Sequence, residues 1–267
     1  MRNILKLMIV TSLIFAVAFS GCLGGDTANN TTTETGFEKE IKLSENNTVL
    51  TLIFNENPTT GYGWALTESQ TGVLNKRSDT YDVLSDASGA SATPGTPGIH
   101  TWIYTGETPG TVTLNYIYSR SFEEGSTIEN LTYIVKVKED KSIEIISSST
   151  LGHDGAYAKD VMLEDENETL KFVFTENISA GYSWKNSIKP TDVLEKTFDG
   201  SLPAVGDLPK APAIHTWKYE GVKAGTATVT FNCSAPDGNP SEKAIYTVSV
   251  DRNNKMKILS IHYDTLE

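Results

Sequence analysis

The chain has 267 residues, of which 38% are hydrophobic and 21% charged, and its formal net charge at pH 7 is −12. The composition is that of a globular protein, and the length suits two domains of about 100–150 residues each. The negative charge argues against nucleic acid as a partner, because an acidic surface repels phosphate backbones.

The N-terminal segment has the pattern of a secretory signal. Arg2 and Lys6 form a basic start, and residues 4–19 are mostly apolar but fall short of the roughly 20 residues of a membrane-crossing helix. The sequence Phe19-Ser-Gly-Cys22 resembles a lipobox, in which small residues precede a cysteine that becomes lipidated. We therefore expect a lipoprotein signal peptide over residues 1–21, and a lipid on Cys22 that anchors the protein to the outer face of the cell membrane. A retained membrane anchor or plain cleavage and secretion are the alternatives, and both also place the chain outside the cytoplasm.

The next segment and the cysteines limit what else can stabilise the chain. Residues 22–36 are rich in Gly, Thr and Asn and have little to bury, so a flexible tether is expected there. The sequence contains two cysteines. With a lipid on Cys22, Cys233 has no partner within the chain, which excludes a disulfide framework. Cys233 is expected to be a small buried apolar residue rather than a nucleophile.

The remainder of the sequence is an internal duplication. The same motifs occur twice, in the same order and with similar spacing, and all four tryptophans fall at two paired positions. The matching motifs are Asn57-Pro-Thr-Thr-Gly-Tyr-Gly-Trp64 with Asn177-Ile-Ser-Ala-Gly-Tyr-Ser-Trp184, Ile99-His-Thr-Trp-Ile-Tyr104 with Ile214-His-Thr-Trp-Lys-Tyr219, and Tyr133-Ile-Val-Lys-Val137 with Tyr246-Thr-Val-Ser-Val250. The duplication predicts two domains of one fold, over residues 37–150 and 151–267.

Both copies have the composition of β-strands separated by turns. Segments rich in Thr, Val, Ile, Leu and Tyr alternate with clusters of Gly, Pro, Asn and Asp, and no long stretch has helical spacing. Val112, Leu114 and Tyr116 alternate with polar neighbours, which is typical of a strand with one buried face. Strands are predicted over residues 48–54, 111–118, 131–137, 170–174, 226–231 and 244–250. The sequence therefore predicts an all-β protein of two tandem immunoglobulin-like antiparallel β-sandwiches.

The segment between the first of these strands and Trp64 is expected to be an exposed loop. Pro58 lacks a backbone N–H and has a fixed φ, and Gly61 permits a positive φ, so residues 57–61 cannot continue a central strand. A stiff loop on a rigid sandwich loses little entropy on docking, which suits it to binding. The alternative is an ordinary turn that does no more than connect two strands.

The motif Asn57-Pro-Thr-Thr-Gly-Tyr-Gly-Trp64 resembles the signature loop of the chagasin family, which are inhibitors of papain-like cysteine proteases. The resemblance covers about residues 37–139. It implies an immunoglobulin-like β-sandwich in which three loops at one end enter the protease cleft without being cut. The first loop would lie over the catalytic centre, which assigns protease binding to Asn57, Pro58, Thr59, Thr60, Gly61 and Tyr62.

Two further segments fit the other loops of the family. A segment rich in Gly and Pro corresponds to the second loop and contributes Gly95, Pro97 and Gly98. Arg120 and Phe122 fit the third loop, where the family pattern is Arg-Pro-Trp; here a Ser replaces the Pro, and Phe122 replaces the Trp. Since Trp and Arg are frequent anchor residues, this departure is expected to affect the affinity more than the mode of binding.

The loops of the second copy depart further from the family pattern. Residues 177–181 lose the Pro and both Thr, residues 208–213 contain no Gly, and residues 234–237 have neither Arg nor an aromatic residue. The second copy is thus expected to keep the fold with degenerate loops.

Glycosylation acceptor patterns predict a glycoprotein and mark a further difference between the copies. One pattern begins at Asn177, whereas Pro58 removes the equivalent pattern at Asn57. A sugar on Asn177 would keep its loop out of a narrow cleft. The remaining patterns begin at Asn29, Asn30, Asn46, Asn130, Asn167 and Asn232.

The sequence contains no pattern typical of a catalytic, metal or cofactor site. His100 and His215 occupy matching positions without metal-ligand spacing to other His or Cys, so a structural role in a strand is expected. The sequence also contains no nucleophile elbow, P-loop or dinucleotide-binding fingerprint. We therefore expect no catalytic activity and no need for a cofactor or metal, and the resemblance to the chagasin family implies an inhibitor of papain-like cysteine proteases. The alternative is a non-inhibitory surface binding or adhesion module, which would be favoured by loops scattered over the fold. The oligomeric state stays open.

Overall fold

The structure, a computed structural model, describes residues 39–83, 96–152, 158–202 and 212–265. The first repeat consists of β1 (Lys39–Leu43), β2 (Val49–Glu56), β3 (Tyr62–Glu68), β4 (Leu74–Val83), β5 (Gly98–Gly106), β6 (Gly110–Arg120), β7 (Glu129–Val137) and β8 (Ile143–Gly152). The second repeat consists of β9 (Ala158–Glu164), β10 (Thr169–Glu176), β11 (Ser183–Lys189), β12 (Leu194–Leu202), β13 (Ala213–Gly221), β14 (Gly225–Ser234), β15 (Pro240–Val250) and β16 (Met256–Thr265). Short 3-10 turns lie at Pro58–Thr60, Asp165–Asn167 and Ile178–Ala180.

Burial alternates along the strands as the sequence pattern requires. In β6, Val112, Leu114 and Tyr116 are fully buried, while the polar residues between them remain accessible. The six strands predicted from the sequence are all present, with slightly different ends. Period-two alternation therefore gives strands such as β2, β6 and β15 one face toward an apolar interior and one face toward solvent, whereas the edge strands β4 and β12 are mostly exposed.

The strands form two continuous antiparallel sheets, and each sheet contains strands from both repeats. Sheet A has the order β4-β5-β2-β1-β16-β15-β14-β11, and sheet B has the order β12-β13-β10-β9-β8-β7-β6-β3. Within the described ranges, a single bridge between Ile145 of β8 and Ile258 of β16 links the two sheets. Each repeat thus contributes half of its strands to one sheet and half to the other.

Within each repeat, sheet A faces sheet B across an aromatic core. The ring centre of Phe54 in β2 lies 4.9 Å from that of Trp64 and 5.1 Å from that of Tyr116, both of which belong to the opposite sheet. In the second repeat Phe174 lies 5.1 Å from Trp184 in the same way. The all-β fold with two sandwiches is confirmed, and both Trp64 and Trp184 are buried in the cores.

The first strand of each repeat pairs with one strand of its own repeat and with the last strand of the other repeat. β1 pairs with β16, where Ile41 lies opposite Ile261, and β9 pairs with β8, where Val161 lies opposite Ser148. Each repeat therefore extends its sheet with the last strand of the other repeat. The segment Glu34–Glu267 forms one compact unit. The division into two domains at residue 150 stays a prediction.

Several predicted features lie outside the described residues. They are the signal peptide over residues 1–21, Cys22, the tether and, among the predicted protease-binding residues, Gly95. In the ranges that the structure covers, no helix has the length and apolar character that crossing a bilayer requires.

Candidate functional site

The first loop is a closed 3-10 turn at the end of β2. The N–H of Thr60 donates to the carbonyl oxygen of Asn57 at 3.1 Å, and the N–H of Gly61 donates to that of Pro58 at 2.9 Å. The side-chain hydroxyls of Thr59 and Thr60 donate to the Oδ1 and the carbonyl oxygen of Asn57, each at 2.6 Å. Gly61 has a φ of +82°, a left-handed conformation that costs residues with a Cβ about 1 kcal/mol. The loop is therefore stiffened by its own hydrogen bonds and by its sequence.

The third loop packs against the first. Arg120, at the end of β6, lies opposite Tyr62 of β3, and its Nε donates to the carbonyl oxygen of Thr60 at 3.2 Å. Its guanidinium lies 4.4 Å from the ring centre of Tyr62, which is a cation–π arrangement. Phe122 is 76% exposed, and a Cβ on Gly61 would come within 2.8 Å of its ring. A glycine at position 61 therefore permits both the turn and the close approach of the third loop.

A layer of aromatic side chains supports the two loops from below. Trp64 stacks on Tyr118 with ring centres 4.8 Å apart, and Tyr62 lies 5.5 Å from the same ring. The hydroxyl of Tyr118 accepts the N–H of Asn57 at 3.1 Å, and Nε1 of Trp64 donates to the carbonyl oxygen of Asn55 at 3.0 Å. The loop is thus fixed to buried rings, and its position depends on the packing of the core.

The described part of the second loop lies beside the first loop. Gly98 begins β5 and is paired with Glu56, the residue directly before the first loop. A Cβ on Gly98 would come within 2.4 Å of the Tyr81 ring, so glycine is required for this close approach. The described parts of the three loops, residues 57–61, 97–98 and 120–122, are named the first tip below. They lie at one end of the first repeat.

A charged cluster that the sequence analysis missed lies at the base of the first tip. His100 Nδ1 lies 2.5 Å from Oε2 of Glu56, and its Nε2 lies 2.7 Å from Oδ1 of Asp79. The imidazole stacks on Trp102 with ring centres 3.8 Å apart. Burial lowers the pKa of His100, but the hydrogen bonds and negative charges of the two carboxylates outweigh burial, so the pKa lies above its usual value. The cluster joins β2, β4 and β5 immediately below the loops.

The same cluster recurs in the second repeat. His215 Nδ1 lies 3.2 Å from Oε2 of Glu176, and its Nε2 lies 2.8 Å from Oδ1 of Asp199. Glu176 also accepts the N–H of Trp184 at 2.8 Å, which joins the two sheets. The cluster recurs beneath two sets of loops with different side chains, and in each repeat it joins three strands. The structural role of both histidines stays a prediction. A signal for it existed in the sequence, since the Glu and the Asp each recur 120 residues apart.

The second repeat has the same 3-10 turn at residues 177–181, which lies beside a shorter loop at residues 235–239. These two segments are named the second tip below. Gly181 has a φ of +85°, close to that of its counterpart in the first tip. Pro236 takes the place of the exposed Phe, and a Cβ on Gly181 would lie 3.0 Å from it. Ile178 is 55% exposed and supplies apolar surface. The second tip thus keeps the 3-10 turn of the first loop, but its other loop, residues 235–239, is shorter than residues 119–128 of the first repeat, and it has no Thr pair, Arg or Phe.

Cys233 is a buried thiol, and the described residues contain no metal-binding group. Cys233 is 4% exposed, and burial raises the pKa of its thiol, which suppresses the reactive thiolate. The prediction of a buried, apolar Cys233 is confirmed. Among the residues with described positions, no group of three or more His, Cys, Asp or Glu could hold a metal ion.

The acceptor asparagines differ in their accessibility. Asn46 and Asn232 are exposed, and Asn130, Asn167 and Asn177 are partly buried. Asn177 uses its Oδ1 to accept the N–H of Ala180 at 3.1 Å and the hydroxyl of Ser179 at 3.0 Å, which caps the turn of the second tip. Glycosylation at these positions stays a prediction.

The chain is similar to one known family of protein sequences. The chain matches the family model described as "Chagasin family peptidase inhibitor I42" over residues 42–137 and again over residues 165–250. No curated protein is significantly similar in sequence.

Two solved structures align with most of the chain. One, titled "BspA_C_WT", is 12% identical, covers 82% of this chain and 98% of its own, and has a TM-score of 0.23. The other, "Streptococcus agalactiae AgI/II polypeptide BspA C terminal domain (WT)", is 10% identical, covers 83% of this chain and 99% of its own, and has a TM-score of 0.20. These TM-scores are too low to carry an argument about fold or function.

Proposed function

This chain belongs to the chagasin family of peptidase inhibitors, and from that premise we propose that it reversibly inhibits papain-like cysteine proteases by blocking the active-site cleft with the first tip. The family gives the class of protein, a peptidase inhibitor rather than an enzyme, and cysteine proteases as the class of partner. The part of the surface that does the blocking is inferred from the geometry of the loops.

One observation supports this assignment most strongly: the first and third loops lie against each other, with exposed side chains at their outer edge. Pro58, Thr59 and Thr60 are exposed, and Phe122 stands beside them. The Arg120 contact with Thr60 fixes the two loops relative to each other. A tip that is ordered before binding loses little entropy when it docks. Loops gathered at one end are what an inhibitor needs, whereas the adhesion alternative makes no such demand.

In this proposal the tip acts as a plug and is not a substrate. The backbone of residues 57–61 is folded back on itself by its own hydrogen bonds, so it offers no extended strand to an enzyme that cleaves extended peptides. Thr59 and Thr60 would lie over the catalytic Cys and His of the protease. The sides of the cleft would be contacted by Gly95, Pro97 and Gly98 on one side and by Arg120 and Phe122 on the other. No covalent bond forms, and inhibition is therefore reversible.

We also propose that a lipid on Cys22 holds the inhibitor at the outer face of the cell membrane. The support is the lipobox-like Phe19-Ser-Gly-Cys22 and the signal-like segment before it. The substitution Cys22→Ser should move the protein from the membrane fraction to the soluble fraction. Retention of the variant in the membrane fraction would contradict the anchor.

A titration tests the inhibitor proposal. Increasing amounts of the compact unit Glu34–Glu267, which contains every strand described, are added to a papain-like protease, and residual activity on a small substrate is followed. We expect a stoichiometric loss of activity that is regained when the complex is separated under dilution, with the inhibitor chain uncut by mass spectrometry. No inhibition at micromolar concentration by any of several papain-like enzymes would contradict the proposal and favour a surface-binding module.

A further inference from the structure

The two tips lie at the same end of the molecule. In sheet A, Lys39 at the start of β1 lies beside the end of β2, where the first tip begins, and it also lies opposite Tyr263 near the end of β16. From there the sheet continues through β15 to the end of β14 at Ser234, where the second tip begins. Sheet B gives the same result, because the end of β8 lies beside Ala158 at the start of β9. Both tips therefore point in one direction.

The pairing of each first strand with the last strand of the other repeat fixes this arrangement. Since β1 is paired on one side with β2 and on the other with β16, neither repeat can turn without breaking a continuous sheet. Two ion pairs join the sheets near the tip end, one in each repeat. Lys39 pairs with Glu129 at 2.7 Å, and Lys159 pairs with Glu242. These pairs lie at matching places in the two repeats and are largely buried. The relative position of the two tips is thus set by the fold and not by a flexible linker.

The tips are close together on the scale of a protein partner. The nearest strands of the two tips are three strand spacings apart: β2 and β15 in sheet A, and β7 and β10 in sheet B. Three spacings amount to about 14 Å. A protease domain of about 200 residues has a diameter of roughly 40 Å. A protease centred on the first tip therefore reaches the near edge of the second tip, and a second protease of the same size cannot dock there at the same time.

We propose that the two tips form one composite face that binds a single protease molecule, with the first tip in the cleft and the second tip on apolar protease surface beside it. This inference rests on the proposed function. The second tip offers Ile178, which is 55% exposed, and the exposed Pro236. Both residues are aliphatic, and neither is of a type, Thr, Arg or Phe, that the first tip presents to a catalytic centre. An apolar contact at the rim of the cleft is the role that these side chains can fill.

Stoichiometry and a matched pair of variants test the composite face. The unit Glu34–Glu267 is mixed with a papain-like protease, and the mass of the complex is measured by light scattering after gel filtration. The inhibition constants of Ile178→Asp and Val222→Asp are measured in parallel. Val222 is a matched control, because it is 47% exposed and lies in the turn between β13 and β14 at the opposite end of the second repeat.

We expect one protease per chain, an inhibition constant raised about tenfold by Ile178→Asp, and no change with Val222→Asp. Two proteases per chain, or equal inhibition constants for both variants and the wild type, would overturn the composite face while leaving inhibition by the first tip intact. Complete lack of inhibition by the wild type would instead contradict the proposed function and this inference with it.

Discussion

The first repeat carries a Thr pair, an Arg and an exposed Phe on its tip, whereas the second repeat carries Ser, Ala and Pro on a tip that shares only the 3-10 turn of the first loop. Beneath the tips the repeats are nearly identical. Phe54 lies 5.3 Å from Trp102 and 6.4 Å from Tyr133, and Phe174 lies 5.4 Å and 6.4 Å from the corresponding rings. The comparison separates the residues that maintain the fold from those available for function. Core and charged cluster are shared, and the side chains of the tips are not.

The largest effect on the free energy of unfolding is expected from substitutions in the aromatic core that the two repeats share. Phe54→Ala and Phe174→Ala each remove a ring from an equivalent, fully buried position, and such truncations cost about 3–5 kcal/mol. Because the sheets run through both repeats, either variant should lower the stability of the whole molecule, and the free energies lost should be similar. Denaturant unfolding and scanning calorimetry should each show a single unfolding transition for both variants. Two separate transitions, with one repeat unaffected, would show that the repeats are independent despite the strand exchange.

A smaller effect, on the inhibition constant, is expected from substitutions in the tips, where the two repeats differ. Phe122→Ala removes an exposed aromatic side chain from the first tip and should raise the inhibition constant about 30-fold, or about 2 kcal/mol, as for other anchor residues. Pro236→Ala at the matching place in the second tip should change it only a few-fold. Since Phe122 is 76% exposed, the free energy of unfolding should be unchanged. Equal effects of the two substitutions would remove the functional distinction between the tips.

The smallest effect concerns the charged cluster beneath the first tip. The pKa of His100 is raised in the folded protein above the value of about 6.5 in an unfolded chain. Its contribution to stability is therefore complete below the unfolded pKa and is lost as the pH rises through the folded pKa. We expect the free energy of unfolding to fall by about 1 kcal/mol between pH 6 and pH 9 on this account, the scale of one ordinary hydrogen bond. His100→Gln should remove this part of the fall, as measured by denaturant unfolding at both pH values, and an identical pH dependence in the variant would contradict it.

Much of the fold could be predicted from the sequence, because the signals are local. The alternation in β6 and the turn signals at Pro58 and Gly61 each depend on neighbouring residues, and the duplication is visible directly as repeated motifs; each is confirmed. The exchange of β1 and β9 could not be predicted in this way. Period-two alternation shows which side of a strand is buried, but it does not show which edge strand will pair with it.

The candidate site could be predicted only in part. The resemblance of the first loop indicated which residues form the tip, and the structure brings Arg120 and Phe122 to Gly61. The cluster of Glu56, Asp79 and His100 brings together residues from three strands, and their proximity depends on the register of the sheet. The recurrence of the same three residue types in the second copy was a signal that a comparison of the repeats could have used.

The central claim is that the first tip blocks the protease and the second tip does not replace it. The most direct measurement compares Thr59→Glu/Thr60→Glu with Ser179→Glu/Ala180→Glu, which places the same two charges on matching turns. Inhibition constants against one papain-like protease are measured for both, and circular dichroism verifies that both are folded. We predict a loss of at least a hundredfold, or about 3 kcal/mol, for the first pair and about tenfold or less for the second. Unchanged inhibition by a folded Thr59→Glu/Thr60→Glu variant, or a greater loss from the second pair, would contradict the account.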